Sequence, residues 1–76
     1  MIKIKIILPY YFKKEYLSNT IELNYEQPVS IDQIIKDSKV NSMDVCFVKV
    51  GDLVVKRDYI IRNSCDIKFI PAVGGG

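Results

Sequence analysis

Residues 29–39 read VSIDQIIKDSK, and this stretch decides what kind of domain the chain can form. Ser30 and Gln33 stand at capping-box spacing, in which the hydroxyl accepts from the amide three residues on and the side-chain amide reaches back. Val29 and Ile34 take the hydrophobic-staple positions around it. Asp32 falls in the first turn, where the helix dipole favours negative charge, and Lys36 and Lys39 fall near the end. Ile31, Ile34 and Ile35 recur at helical spacing and make one apolar stripe. The pattern predicts a helix over 31–39, stopped by Asn41. A helix that short is marginal alone, so its stripe must lie on a sheet.

The sequence on either side supplies that sheet. Upstream, Ile2, Ile4, Ile6 and Leu8 alternate with Lys3 and Lys5, the period of a half-buried strand. Pro9, with no amide hydrogen to give a ladder, ends it. Residues 10–19 read as a polar-aromatic connection. Ile21, Leu23 and Tyr25 then alternate with Thr20, Glu22 and Asn24, a strand expected to run antiparallel to the first. Downstream, 45–50 (VCFVKV) is apolar and β-branched. Gly51-Asp52 has the form of a two-residue hairpin turn whose first position takes positive φ, with 53–55 returning. Lys56, Arg57 and Asp58 form a loop, 59–61 packs a short piece back against the sheet, 62–65 turns, and 66–70 is the last strand. Ile67 and Phe69 point inward there, with Ile70 out of phase.

Two hairpins cannot each bury an apolar face in isolation. Side by side, with the helix across one face, they form a two-layer α+β domain. The expected fold is a β-grasp (ubiquitin-like) arrangement: a mixed four- to five-stranded sheet, one short helix packed across it, and the first and last strands paired at its centre. The domain is expected to cover 1–71, with 72–76 a flexible glycine-rich tail.

Composition narrows the function. The 76 residues make one domain, with 49% hydrophobic and 26% charged residues, ordinary globular values. Eleven Lys plus Arg against nine Asp plus Glu leave +2, too weak for phosphate-driven nucleic-acid binding. There is no histidine, which removes the usual general base and the commonest metal ligand. Cys46 and Cys65 form no C-x-x-C, so no zinc site is expected. Cys46 is assigned to the core and Cys65 to a turn, both as unpaired thiols. The opening apolar run stops at Pro9 with no small-residue cleavage site after it, and nothing nears the roughly 18 apolar residues of a membrane span. The expected setting is the cytoplasm, with neither membrane nor nucleic acid as partner and no independent enzymatic activity.

The chemistry is then sought in Gly74, Gly75 and Gly76. Lacking Cβ, these residues present the narrowest cross-section a chain can offer. Residues 73–76, fully extended, span roughly 13 Å, enough to thread into a partner's active site. A terminal carboxylate is ionised at pH 7 and inert as an electrophile until an ATP-using partner converts it to an acyl-adenylate.

The final eight residues, FIPAVGGG, on a domain of this element order resemble the MoaD/ThiS sulfur-carrier family. Phe69, Pro71, Val73, Gly75 and Gly76 match that family's Phe-x-Pro and Val-x-Gly-Gly, and Gly74 takes its variable position. Before the last strand the family carries Asp-Gly-Asp, of which Ser64-Cys65-Asp66 keeps only the aspartate. The resemblance implies that an E1-like adenylating enzyme activates the Gly76 carboxylate with ATP. A sulfur donor of the cysteine desulfurase or rhodanese type then converts it to a thiocarboxylate. An acceptor synthase, either a molybdopterin synthase large subunit or a thiazole synthase, takes the sulfur. It also implies no tightly bound cofactor, Gly75 and Gly76 as the reacting end, and Gly74, Val73, Pro71, Ile70 and Phe69 as partner-binding positions. Phe-x-Pro with Val leans toward molybdopterin, and the short helix keeps the thiazole open.

Two other readings fit the same residues. In one the chain is a ubiquitin-like modifier joined to lysine through Gly76; in the other it is a β-grasp interaction domain with an incidental tail. Lys3, Lys5, Lys13 and Lys14 are read as a solvated strand face rather than a docking site. Ile70 is a candidate exposed apolar residue at the base of the tail.

Overall fold

The computed structural model describes residues 1–8 and 19–71. Pro9, all but Asn19 of the connection expected over 10–19, with Lys13 and Lys14, and the tail expected at 72–76 lie outside the described residues. The elements run β1 (Ile2–Ile7), β2 (Thr20–Tyr25), β3 (Val29–Ser30), α1 (Ile31–Ser38), β4 (Val45–Val50), β5 (Leu53–Val55), β6 (Ile60–Ile61) and β7 (Cys65–Pro71), with a 3-10 turn at Ser42–Asp44 before β4. They build a small α+β unit on a mixed five-stranded sheet ordered β2-β1-β7-β4-β5. β1 and β7 are parallel, and every other pairing in the sheet is antiparallel. The last strand is thus the middle one, with the first strand beside it.

The alternation read from β1 survives intact. Ile2, Ile4, Ile6 and Leu8 are buried, while Lys3 and Lys5 are exposed on the opposite face. Register sets Ile4 beside Cys65 and Ile6 beside Ile67, so the buried rows continue onto β7. Val48 opposite Phe69 and Val55 opposite Val48 carry them to the far edge. The helix closes this face with Ile31, Ile34 and Ile35, all fully buried. Phe69, at 0% exposure, is the largest side chain sealed within. Burying such a group is worth about 1.5–3 kcal/mol, which makes these rows the main favourable term in folding.

The start of the helix differs in one detail from its expected form. Ser30 caps it, its Oγ accepting from the Gln33 amide at 3.1 Å. The Gln33 side chain does not reach back; its Nε2 donates forward to Asp37 Oδ1 at 2.9 Å. The reason lies elsewhere in the chain. Residues 59–61 do not join the main sheet: Ile60 and Ile61 pair instead with Ser30 and Val29 as a separate two-stranded ladder. The loop leading into them gives carbonyls to the first helical amides, Ile31 N–H to Tyr59 O and Asp32 N–H to Arg57 O, both at 2.9 Å. The helix's first amides, unpaired within the helix itself, are satisfied in this way, by Ser30 and by a segment far downstream.

The helix ends one residue earlier than its spacing predicts. Ser38 Oγ donates to the Ile35 carbonyl at 2.6 Å and accepts from Val40 N–H at 3.2 Å. Lys39 takes a left-handed φ of 67° and closes the turn on the Lys36 carbonyl. Asn41 does not stop this helix but caps the 3-10 turn, its Oδ1 accepting from Met43 N–H at 2.9 Å. Tyr25 on edge strand β2 donates to Asp37 Oδ2 at 2.7 Å and ties that edge to the helix.

At the other edge Gly51 has φ +61°, the only positive φ of the β4–β5 turn. Nothing lies within 4 Å of where its Cβ would stand, so any cost of a side chain is purely conformational. Gly51→Ala is therefore expected to destabilise the domain by about 1 kcal/mol, measured by denaturant titration, with no change in the slope of the transition.

A second expectation concerns pH. Burial first, and the hydrogen bond to Asp37 second, push the Tyr25 hydroxyl well above its ordinary value of 10.0. A group held protonated by the fold contributes in full below its unfolded value, and the contribution fades as the pH climbs past it. Tyr25→Phe should cost about 1 kcal/mol at neutral pH. Above about pH 10 the gap between wild type and variant should narrow in paired denaturant melts.

Candidate functional site

The residues named from the sequence gather at the C-terminal end of β7, the central strand. Phe69 is fully buried and Pro71 is also buried, paired with Val45 as the last residue of the strand rather than the first residue beyond it. Neither offers surface to a partner. They lie near the end of a strand flanked by β1 on one side and β4 on the other, just ahead of the glycine-rich stretch in sequence. Ile70 is half-buried and lies on the opposite, helix-free face of the sheet. Val73, Gly74, Gly75 and Gly76 lie outside the described residues.

That helix-free face follows from register. Row by row it holds Asn24 beside Lys3, then Glu22-Lys5-Asp66, then Thr20-Ile7-Lys68-Lys49-Val54, then Ile70 beside Phe47. The end nearest the root of the tail is therefore apolar and basic, and the far end is a mixed-charge patch. Phe47 is 54% exposed and Val54 56%, unusual values for an aromatic and a valine within strands. Ser64 closes the far end, its Oγ accepting from Lys3 N–H at 2.9 Å.

Phe47 and Cys46 owe their exposure to a break in the β4–β7 register between Val45 and Phe47. The extra residue turns Val45 and Val48 both inward and leaves Cys46 and Phe47 outside. Cys46, expected in the core, is exposed for this reason. Strict alternation along VCFVKV would have set it on the same side as Val48, and a bulge is invisible to alternation. A groove of about 650 Å³ runs beside the bulge, lined by Cys46, Phe47, Val54 and the Lys56–Asp58 loop. Arg57 in that loop is already engaged, its Nη2 donating to the Ser42 and Val45 carbonyls at 2.9 and 3.0 Å. It pins the start of β4 and so fixes the strand that borders Pro71.

Cys65 opens β7 and packs, half-buried, against the core. Burial and then the neighbouring Asp66 push its thiol up, the opposite of an activated nucleophile. Among the described residues no three histidine, cysteine or carboxylate side chains come together as metal ligands. No helix among them is long and apolar enough to cross a membrane. Lys3 and Lys5 stand exposed on the open face; Lys5 has an acid on each neighbouring strand. Sequence reasoning missed Ile7, Phe47, Lys49 and Lys68 as members of one surface, because only pairing sets residues so far apart in the chain side by side.

No family model matches the chain, and no curated protein is significantly similar to it.

The two thiols give a direct check on the bulge. Under native conditions near pH 8, Cys46 is expected to react with a thiol reagent several-fold faster than Cys65, read by peptide mass spectrometry. Faster labelling of Cys65 would mean that β4 runs without its bulge.

Proposed function

We propose that the chain is a sulfur carrier of the MoaD/ThiS type, built on a β-grasp domain, in which Gly76 bears the reacting carboxylate. The observation that supports the reading best is the position of β7. It is the central strand, paired with β1 over Cys65–Lys68 and with β4 as far as Pro71. The glycine-rich stretch therefore starts from a firmly held part of the molecule. The sheet order, the parallel first and last strands and the single helix across one face are compatible with a β-grasp.

The chemistry divides between carrier and partners. In an E1-like enzyme the Gly76 carboxylate oxygen attacks the α-phosphorus of ATP, and pyrophosphate leaves. The terminal sulfur of a donor persulfide then attacks the acyl carbon, forming a C–S bond as AMP departs. A second thiol cleaves the S–S bond, leaving a disulfide behind and the thiocarboxylate on Gly76. An acceptor synthase takes this sulfur into a molybdopterin or thiazole precursor. The chain contributes the acyl carbon and its delivery on a slender segment. The acid-base groups come from the partners, in keeping with a sequence that has no histidine.

The decisive test is ATP–pyrophosphate exchange by the adenylating enzyme of the same organism. Removing Gly75 and Gly76 should abolish exchange and leave the melting temperature unchanged; exchange that persists overturns the proposal. Intact mass of protein from its native host then separates the outcomes. A gain equal to oxygen replaced by sulfur supports the carrier, whereas lysine-linked conjugates identify a modifier.

A further inference from the structure

On the open face one arrangement works against the fold. Lys49 on β4 and Lys68 on β7 stand directly opposite one another, and like charges in that position destabilise a sheet. Lys5 shows the alternative: its cross-strand neighbours are Glu22 and Asp66, one on each side. Around the lysine pair the cross-strand neighbours are Ile7 and Val54, both apolar. Among the described residues neither ammonium is within ion-pair distance of a carboxylate. The next row toward the tail is apolar too, Ile70 beside the half-exposed ring of Phe47.

We infer that this row is where the activating enzyme docks, through a surface that sets a carboxylate between Lys49 and Lys68 and apolar groups against Phe47 and Ile70. The partner's identity rests on the proposed tail chemistry; the surface rests on the sheet register alone. Charge complementarity selects the occupant. Two adjacent cations without a counter-charge are relieved by an acid from outside, and the apolar flank excludes water around the pair and strengthens it. A nucleic-acid backbone would call for a longer run of cations than this face has, since the acids Glu22 and Asp66 flank Lys5. Chain length agrees: five residues beyond Pro71 span at most about 18 Å, so an enzyme that takes up Gly76 must seat close to Phe47 and Ile70.

The test measures exchange kinetics and stability on the same variants. Lys49→Glu and Lys68→Glu, made singly, should each raise the KM for the carrier about tenfold or more while leaving kcat unchanged. Added salt should raise the wild-type KM and affect the variants less. The melting temperature should move the other way, upward for either single variant, because each turns a repelling pair into an attracting one. The double variant restores repulsion, so its melting temperature should fall back while its KM stays high. The chain lacking Gly75 and Gly76 should inhibit wild-type exchange competitively, and the same truncation combined with Lys68→Glu should not.

An unchanged KM in the single variants overturns the inference, as does a KM that rises only alongside a fall in melting temperature. Self-association, or oligonucleotide binding, that the same substitutions abolish would give the face to another occupant and also overturn it. If the wild-type chain supports no exchange, the tail chemistry fails and this assignment falls with it. Exchange that proceeds normally in the lysine variants leaves the tail chemistry standing and removes only the docking surface.

Discussion

The parallel pairing of β1 with β7 is the constraint on which the rest of the structure depends. It joins Ile4 to Cys65 and Ile6 to Ile67, contacts between opposite ends of the described chain. Everything between must fit around that closure. Bringing such distant segments together costs chain entropy, though the cost grows only slowly with loop length. What offsets it is the row of buried isoleucines continued by Phe69, with α1 laid over them. With the two strands paired, β2 takes the outer side of β1 and β4 the outer side of β7. The free edges fall to β2 and the three-residue β5.

A second long-range closure depends on the first. The loop before β6 supplies two carbonyls to the opening amides of α1, and β6 itself pairs with the residues that precede the helix. An eight-residue helix has little stability of its own. Its position is fixed from three sides: the sheet beneath, the loop at its N-terminus, and Tyr25 reaching Asp37 from the edge strand. The helix therefore covers one face of the sheet, while Lys3, Lys5 and Phe47 stand exposed on the other.

Stability and proposed function divide along those two faces. The covered face is mainly apolar and binds the layers together. On the other face Lys5 has an acid on each neighbouring strand, whereas Lys49 and Lys68 face one another, one row from Ile70 and Phe47. A residue pattern that weakens the free domain can persist where a bound partner relieves it, the ordinary trade between stability and activity. Phe69 and Pro71 belong to the opposite category. They lie near the end of β7 but are buried, so substitutions there would act through packing rather than through contact.

Much was legible in local spacing. The alternation of β1, the Ser30 cap, the staple residues, the Gly51 turn and the inward positions of Ile67 and Phe69 all follow from preferences within a few residues, and side chains one pleat or one helical turn apart obey them regardless of context. Four features could not be read that way: the bulge that exposes Cys46, the pairing of Ile60 and Ile61 with Val29 and Ser30, the turn of Gln33 toward Asp37, and the shared surface of Phe47, Ile70, Lys49 and Lys68. Each is settled by which strand lies beside which, and by hydrogen-bonding groups that meet only after the chain has closed on itself. Local pattern determined the elements and their inner faces. Tertiary pairing decided the neighbours, because register is a relation between segments that no single segment contains.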